Sequence, residues 1–512
     1  MIVAGAGTLP PPLPDYHELR DKMTTYGEQT RFADLRELYG SPSAYEVPLS
    51  NWKDSILRLT CELDVPDIPA SGSGDSSTSG GDRPSSSAES RQSTTIDFPI
   101  TASPLHVQPG AIGRGTTVLP LACPSDISSL QARDGLSLVA KMSWQPVNRM
   151  GEDEILRTIR GKIPEPWMKH VTELKCSTTL DEDALNLPRK VLMAFVETRV
   201  KAVAVLGKPT PKPKRGAKQK TRVDEDSDIL ELADAFIGPE YEERVLRVIV
   251  TPRYLPLCEV KDLGEFKTVF TDVVKVHYVI YTSCNILHRD LSVNNIMFTR
   301  HDEHVVGILN DWDLAASTIP KETATCKHRT GTAAFMALDL LENAGKPLLH
   351  EYHHDLESFV WILLWCAFVL RFDGNQVEWA KQPGKIRQWT ATHDWETIAS
   401  CKLGFVTRCG DYLELMTPEM KGLKKPWIQP VIRKTAYTIV ARSMSHFSEE
   451  EEEEEKEEES SPNGSAHARV EMTERNGPGF FTFQRVMKVL EPSTKTPEDA
   501  VRKYGSPDLI VP

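Results

Sequence analysis

Apolar side chains recur along the chain in patterns that change several times. Tyr16, Leu19 and Met23, then Phe32, Leu35 and Leu38, stand at helical spacing, and predict a small helical segment over residues 1–69. The stretch 70–94 (ASGSGDSSTSGGDRPSSSAESRQST) has almost no apolar side chains and cannot offset its ordering entropy. It predicts a flexible linker, carried to residue 104. From 105 to 250 short apolar runs such as LSLVAKMSW mix with the helix-like GEDEILRTIRGKI. This part reads as strand-rich, with a surface insertion at 207–228 (GKPTPKPKRGAKQKTRVDEDSD). From 251 to 447 the chain is dense in apolar residues at mostly helical spacing. Its longest apolar run, Phe359 to Leu370, is shorter than the ~20 residues a bilayer requires, and predicts a buried helix. An acidic linker over 448–475 and a last helix, FFTFQRVMKVLE, within 476–512 complete the order. A small strand-rich part followed by a larger helical part predicts an α+β fold.

Charge and cysteine content change this picture little. The formal charge of the 512 residues is −13, but Glu449 to Glu459 holds ten Glu and one Lys, leaving −4 for the rest. The acidity therefore belongs to one self-repelling run. The nine cysteines form no C-x-x-C pair, so neither a zinc ribbon nor a disulfide framework is expected, and a reducing compartment fits. The first residues show no basic stretch before an apolar run, so no signal peptide is expected. An intracellular protein, cytoplasmic or nuclear, without membrane partners is the resulting expectation.

Four motifs carry chemistry. His288-Arg289-Asp290-Leu291-Ser292-Val293-Asn294-Asn295, followed by the apolar Ile296-Met297-Phe298, has the H-R-D-L-x-x-x-N pattern of a protein-kinase catalytic loop. Such a loop needs an Asp that orients the attacking hydroxyl and accepts its proton. It also needs an Asn a few residues on that bends back to a magnesium ion. Gly307 to Leu309 then reads as a strand running into Asn310-Asp311-Trp312-Asp313, as in a D-F-G element with Asp311 as the metal-chelating carboxylate. Asp313 replaces the glycine there and removes the freest backbone hinge. Gly331-Thr332-Ala333-Ala334-Phe335-Met336-Ala337-Leu338-Asp339 aligns with the end of an activation segment, with Ala337-Leu338-Asp339 at A-P-E. Asp355 stands at the start of the buried helix, where it is expected to hold the catalytic-loop backbone.

The nucleotide side is expected from the strand-rich part. Leu138-Val139-Ala140-Lys141 has the V-A-I-K pattern, with Lys141 as the cation for the α- and β-phosphates. A carboxylate in the following helix, Glu152 or else Glu154, is expected to fix its ammonium. Gly113 and Gly115 lie in a glycine-rich turn whose amides can approach phosphates, although the third glycine of G-x-G-x-x-G is absent.

Taken together these residues resemble the fungal-type protein kinases over about residues 105–400. The resemblance is carried by Gly113 to Thr116, Val139 to Trp144, His288 to Ser292, Arg329 to Ala337 and Asp355 to Phe359. It implies a two-lobed fold, with an N-lobe over 105–250 and a C-lobe over 251–447, and it implies ATP and Mg2+. The implied catalytic set is Asp290, Lys141, Asn295, Arg289 and Thr332. The implied nucleotide set is Gly113, Gly115, Val118, Ala140, Lys141, Glu152 and Met297, and the implied metal ligands are Asn295 and Asp311. Two departures matter. Ser292 stands where Ser/Thr kinases carry a Lys, and Asn294 where tyrosine kinases often carry an Arg, so transition-state charge falls on magnesium and Lys141.

Ser and Thr of a protein are the expected acceptors. Thr332 is placed to bond Asp290, and Ala333-Ala334-Phe335 forms a small apolar platform. Two alternatives stand beside this reading: a small-molecule kinase of the aminoglycoside or choline kind, and a catalytically weak scaffold. Ser317, Thr318, Thr323, Thr325 and Thr330 are candidate phosphorylation sites that Arg289 would pair with. The stretch Lys208 to Arg222, with seven basic residues and no acid, reads as a solvated insertion or an import-receptor signal. No aromatic residue is interleaved there, so specific nucleic-acid binding is not expected. The histidines lack metal-ligand spacing, and His353-His354 reads as a helix start.

Overall fold

The computed structural model describes residues 2–3, 55–63, 93–107, 115–125, 127, 130–131, 135–181, 184, 243–318, 331–343, 348–392, 394–442 and 479–491. The chain divides into two compact units, one of Met1–Gly151 with Leu174–Arg253, the other of Glu152–Glu173 with Tyr254–Pro512. The first holds an antiparallel sheet and the second is mainly helical, a mixed α+β architecture.

The first unit is built on eight strands: β1 (Ile2–Val3), β2 (Ile56–Leu63), β3 (Ser93–Pro99), β4 (His106–Val107), β5 (Thr117–Leu121), β6 (Leu138–Pro146), β7 (Cys176–Leu180) and β8 (Arg244–Pro252). Their order is β1-β2-β7-β8-β6-β5-β4, with β3 on β2. Leu57, Leu59, Cys61, Ile96, Phe98, Leu119, Leu121, Leu138, Ala140, Val248 and Val250 form one buried face. Every second residue contributes, as the two-residue strand period requires.

Two expectations are corrected here. Residues 56–63 are a strand and not part of a helical segment, and residues 93–99 are a strand inside the stretch read as linker. The run ILRLTCEL alternates buried Leu57, Leu59 and Cys61 with exposed Arg58, Thr60 and Glu62. Arg58 pairs with Asp97 through two bonds of 2.6 and 2.7 Å, and Thr60 bonds Thr95 at 2.9 Å. Both pairs stand directly opposite in the β2–β3 register. Strand β3 begins at Ser93, where Ile96 and Phe98 supply buried apolar surface. The helical spacing at Tyr16 to Leu38, the insertion 207–228 and the acidic run lie outside the described residues.

The second unit begins with α1 (Glu152–Arg160), so the N-lobe boundary expected at 250 does not hold for this helix. Its buried Ile155, Leu156 and Ile159 form one apolar stripe, and the helix packs on α2 (Leu263–Cys284). Asp262 caps α2, accepting from the Gly264 and Glu265 amides, and Asn285 ends it in the left-handed conformation at φ 54°. Strands β9 (Leu255–Pro256), β11 (Ile296–His301) and β12 (His304–Leu309) form a three-stranded sheet, and β10 (Ile286–Leu287) pairs with β13 (Ala316–Ser317). Then come α3 (Leu338–Glu342), α4 (Tyr352–Val369), α5 (Gly384–Ala391), α6 (Trp395–Thr407), α7 (429–442) and α8 (Phe483–Leu490). Helix α4 is buried on all sides from His354 to Val369, as its unbroken apolar run requires. No helix among the described residues is long and apolar enough to cross a membrane.

Candidate active site

Between β10 and β11 the chain makes a loop that cannot be satisfied by a sheet ladder, and α4 supplies the missing partners. Asp355 accepts the His288 amide at 2.9 Å and the Arg289 amide at 3.3 and 3.4 Å. Arg289 adopts φ 65°, a left-handed conformation costing about 1–3 kcal/mol for a side chain of its size. That strain persists because Asp355 holds the Arg289 amide itself and the His288 amide before it. His277 and His350 each bring Nε2 to within 2.8 Å of Asp355. Burial alone pushes this carboxyl up, but the two imidazoles outweigh it and hold Asp355 well below the usual carboxylate range. The loop is therefore tied to a fixed negative charge.

The same loop presents the expected catalytic residues together. The Asn295 side-chain nitrogen Nδ2 donates to the Asp290 carbonyl at 2.7 Å, which closes the loop. The Asn310 amide donates to the Asn295 carbonyl at 2.9 Å, bringing the residue before Asp311 against the loop. His288, fully buried, contacts the Asn310 carbonyl through Nε2 at 3.0 Å and lies against the Trp312 ring. Because that carbonyl only accepts, Nε2 carries the proton. Burial lowers the His288 pKa and keeps the ring neutral. Asp311 has φ 64°, a conformation an Asp tolerates, which turns the chain out of β12. Asp311 and Asn295 offer oxygen alone, with no thiolate or imidazole, and this donor set fits a hard cation such as magnesium.

Thr332 reaches the Asp290 carboxylate twice. Its amide donates to Asp290 Oδ1 at 2.8 Å and its hydroxyl donates to the same oxygen at 2.9 Å. Gly331 makes this approach possible: it stands at φ 134°, and a Cβ there would lie 3.0 Å from the Arg289 carbonyl. Glu152 is buried and accepts the Trp312 amide at 2.9 Å, whereas Glu154 is exposed. Met297 on β11 lies partly buried, its sulfur 3.2 Å from the Asn310 side-chain nitrogen Nδ2, which donates to it. Asp313 and Ser292 are both buried.

In the first unit, Lys141 sits in mid-β6, opposite Val118 on β5 and Ile249 on β8. Ala140 is on the other face, in the sheet core. The two-residue period sends it to the side opposite Lys141. Gly115 adopts φ 52°, with a Cβ position 3.4 Å from the Trp144 ring. Gly113, Arg329, Thr323, Thr325 and Thr330 lie outside the described residues.

Several residues at the site are not singled out in the sequence. Glu357, Lys402 and Arg442 hold the segment Met336–Asp339, and His277 and His350 flank Asp355. Glu357 lies within the familial stretch Asp355 to Phe359; Lys402 stands with Ile398 and Phe405 at i, i+4 and i+7 on the apolar stripe of α6.

Asp339, His353 and His354 also come together, with His nitrogens 3.7 and 3.8 Å from the Asp339 carboxylate. Here the Glu351 amide donates to His354 Nδ1, so the proton of the neutral ring is on Nε2, facing Asp339. A metal-ligating imidazole needs the reverse arrangement. Arg442 already holds Asp339 at 2.9 Å. The cluster is an ion-pair and helix-capping network, with His354 completing the capping box of α4.

No curated protein matches the chain. The family model described as fungal protein kinase matches residues 72–367, more than half of the sequence. The chain belongs to the fungal protein kinase family, a membership that implies phosphotransferase activity with ATP and magnesium.

Proposed function

We propose that the protein is a two-lobed kinase that transfers the γ-phosphoryl group of ATP to Ser or Thr hydroxyls of a protein. The observation that carries this reading is the double bond of Thr332, amide and hydroxyl, onto one oxygen of Asp290. The two bonds fix the orientation of the carboxylate that is proposed to take the proton of an incoming hydroxyl. They also join the catalytic carboxylate to a segment, Gly331–Asp339, of the kind that positions peptides. A kinase acting on sugars or amino alcohols has no use for that segment.

Magnesium and ATP, when bound, supply the transferable phosphoryl group and neutralise its charge. Asn295 and Asp311 are the proposed metal ligands. Lys141 is the proposed cation for the α- and β-phosphates, supported by its pattern and its place in mid-strand beside Val118. Asp290 orients the acceptor and holds its proton, and Thr332 limits the rotation of that carboxylate. Ser292 and Asn294 bring no cation into the loop, so turnover is expected to be slow or narrowly selective.

The test is labelled ATP with the full chain and a library of Ser, Thr and Tyr peptides, followed by phosphoamino-acid analysis. Phosphoserine and phosphothreonine are expected. Phosphotyrosine as the main product, or labelling of a free sugar or amino alcohol in preference to protein, overturns the assignment. Asp311→Ala is expected to abolish transfer while the far-UV circular dichroism stays unchanged. Normal turnover by that variant would remove Asp311 from the metal site.

A further inference from the structure

The segment Gly331–Asp339 is irregular, and its backbone groups must find partners outside any helix or sheet ladder. Two of those partners are buried ionisable side chains. Lys402, with no solvent exposure, donates from Nζ to the Met336 carbonyl at 2.5 Å. Glu357, equally buried, accepts the Leu338 amide at 2.8 Å and the Trp361 indole N–H at 3.0 Å. The Lys402 ammonium also lies 4.9 Å from the Trp361 ring and 5.8 Å from the Trp389 ring. Phe335, one residue before Met336, sits edge-on to Trp365. Residues 335, 336 and 338 are thus each held at a different point by α4 or α6.

A lysine in this place is costly. Taking an ammonium out of water costs several kcal/mol, and burial pushes the Lys402 pKa well down against the attraction of Glu357. The stripe on which it stands, with Ile398 and Phe405, would pack a methionine without that cost. What a methionine cannot supply is a donor for the Met336 carbonyl, in the middle of the segment that Thr332 joins to Asp290.

We propose that Lys402 is a positioning residue for the acceptor: its bond to the Met336 carbonyl, made inside the Trp361–Trp389 cage, sets the platform on which a protein substrate docks. The inference rests on the reading of Gly331–Asp339 as that platform. The lysine touches neither ATP nor the hydroxyl that reacts, so it acts on acceptor binding and leaves the chemical step and the nucleotide alone.

The experiment is steady-state kinetics on the full chain, with myelin basic protein as acceptor. Lys402→Met is expected to raise the KM for the protein about tenfold, to change kcat less than about threefold, and to leave the KM for ATP unchanged. That variant strands the Glu357 carboxyl, so the double variant Lys402→Met with Glu357→Gln is measured beside it. The double variant is expected to recover the thermal midpoint but not the protein KM. An unchanged protein KM in Lys402→Met overturns the proposal. So does a double variant that regains midpoint and KM together, or a pair of variants that both fail to fold, since each makes the lysine a core support only. Wild type that transfers no phosphate to protein removes the platform reading itself, a result distinct from an active wild type whose KM does not respond to Lys402.

Discussion

Asp355 and Glu357 stand two residues apart on α4, at 1% and 0% exposure, and their surroundings shift them in opposite directions. Asp355 faces the catalytic loop. Two imidazoles and the amides of His288 and Arg289 surround it, and it is kept ionised despite burial. Glu357 faces the segment Met336–Asp339. Burial and the nearby Asp339 charge push its pKa up, against the Leu338 amide, Arg442 and the Trp361 indole. Its second oxygen has no hydrogen-bond partner among the described residues, and Arg442 stays 3.7 Å away. The two regions are therefore anchored by different physics. The loop that carries strained Arg289 is held by a full charge; the platform is held by a carboxyl drawn toward its neutral form together with a lysine drawn the same way.

The largest effect should come from the charged anchor. Asp355→Asn puts an N–H where two imidazoles and two amides seek an acceptor, and breaking such a buried charged partner costs about 3–5 kcal/mol. Transfer should fall by more than about 100-fold as the loop relaxes. Urea melts and the labelled-ATP assay, both at pH 7, check this. A stable, active variant would mean that the loop needs no charge.

Next comes the link between the two regions. Thr332→Ala removes one of two bonds to Asp290 and should cost about 10–100-fold in turnover, ~1.4–2.7 kcal/mol of barrier. Thr332→Ser keeps the hydroxyl and should keep most of the rate. Equal losses in both variants would assign the effect to the methyl group and sever the link.

The smallest effect belongs to the platform carboxyl. Glu357→Gln resembles the protonated acid, still accepts from Leu338 and Trp361, and should change stability by no more than about 1 kcal/mol at pH 7. The two anchors must also differ in pH response. The folded pKa of Asp355 is depressed, so its contribution is full above the unfolded value of about 3.9 and is lost as pH falls toward the folded value. The folded pKa of Glu357 is raised, so its contribution is full below the unfolded value of about 4.3 and is lost as pH rises through the folded value. Wild type should therefore lose stability relative to Glu357→Gln as pH rises, while its advantage over Asp355→Asn disappears on acidification. Denaturant melts from pH 2 to 8 measure both slopes, the Asp355 slope below about pH 4 and the Glu357 slope above it; two slopes of the same sign would break the comparison.

What could be read in the chain was local. The strand–Asp311 junction, the buried helix from Asp355, and the spacing of Asp290 to Asn295 each rest on contiguous residues, and the structure brings Asp290, Asn295 and Thr332 to one place. Strands β2 and β3 were not legible. Their alternation is short, and only pairing with each other, as at Arg58–Asp97, distinguishes it from helical spacing or linker.

By itself, the sequence determined the chemistry available: which carboxylates, amides and hydroxyls stand on one short loop, at distances along the chain that the backbone must keep. Only the tertiary structure decided the state in which the helix carboxyls are used. Asp and Glu carry nearly the same ordinary pKa, and nothing in the run Asp355-Leu356-Glu357 distinguishes a charged anchor from one drawn toward neutrality. That difference comes from His277, His350, Asp339, Lys402 and Arg442, residues remote in the chain that folding brings within a few ångströms, where water no longer screens them.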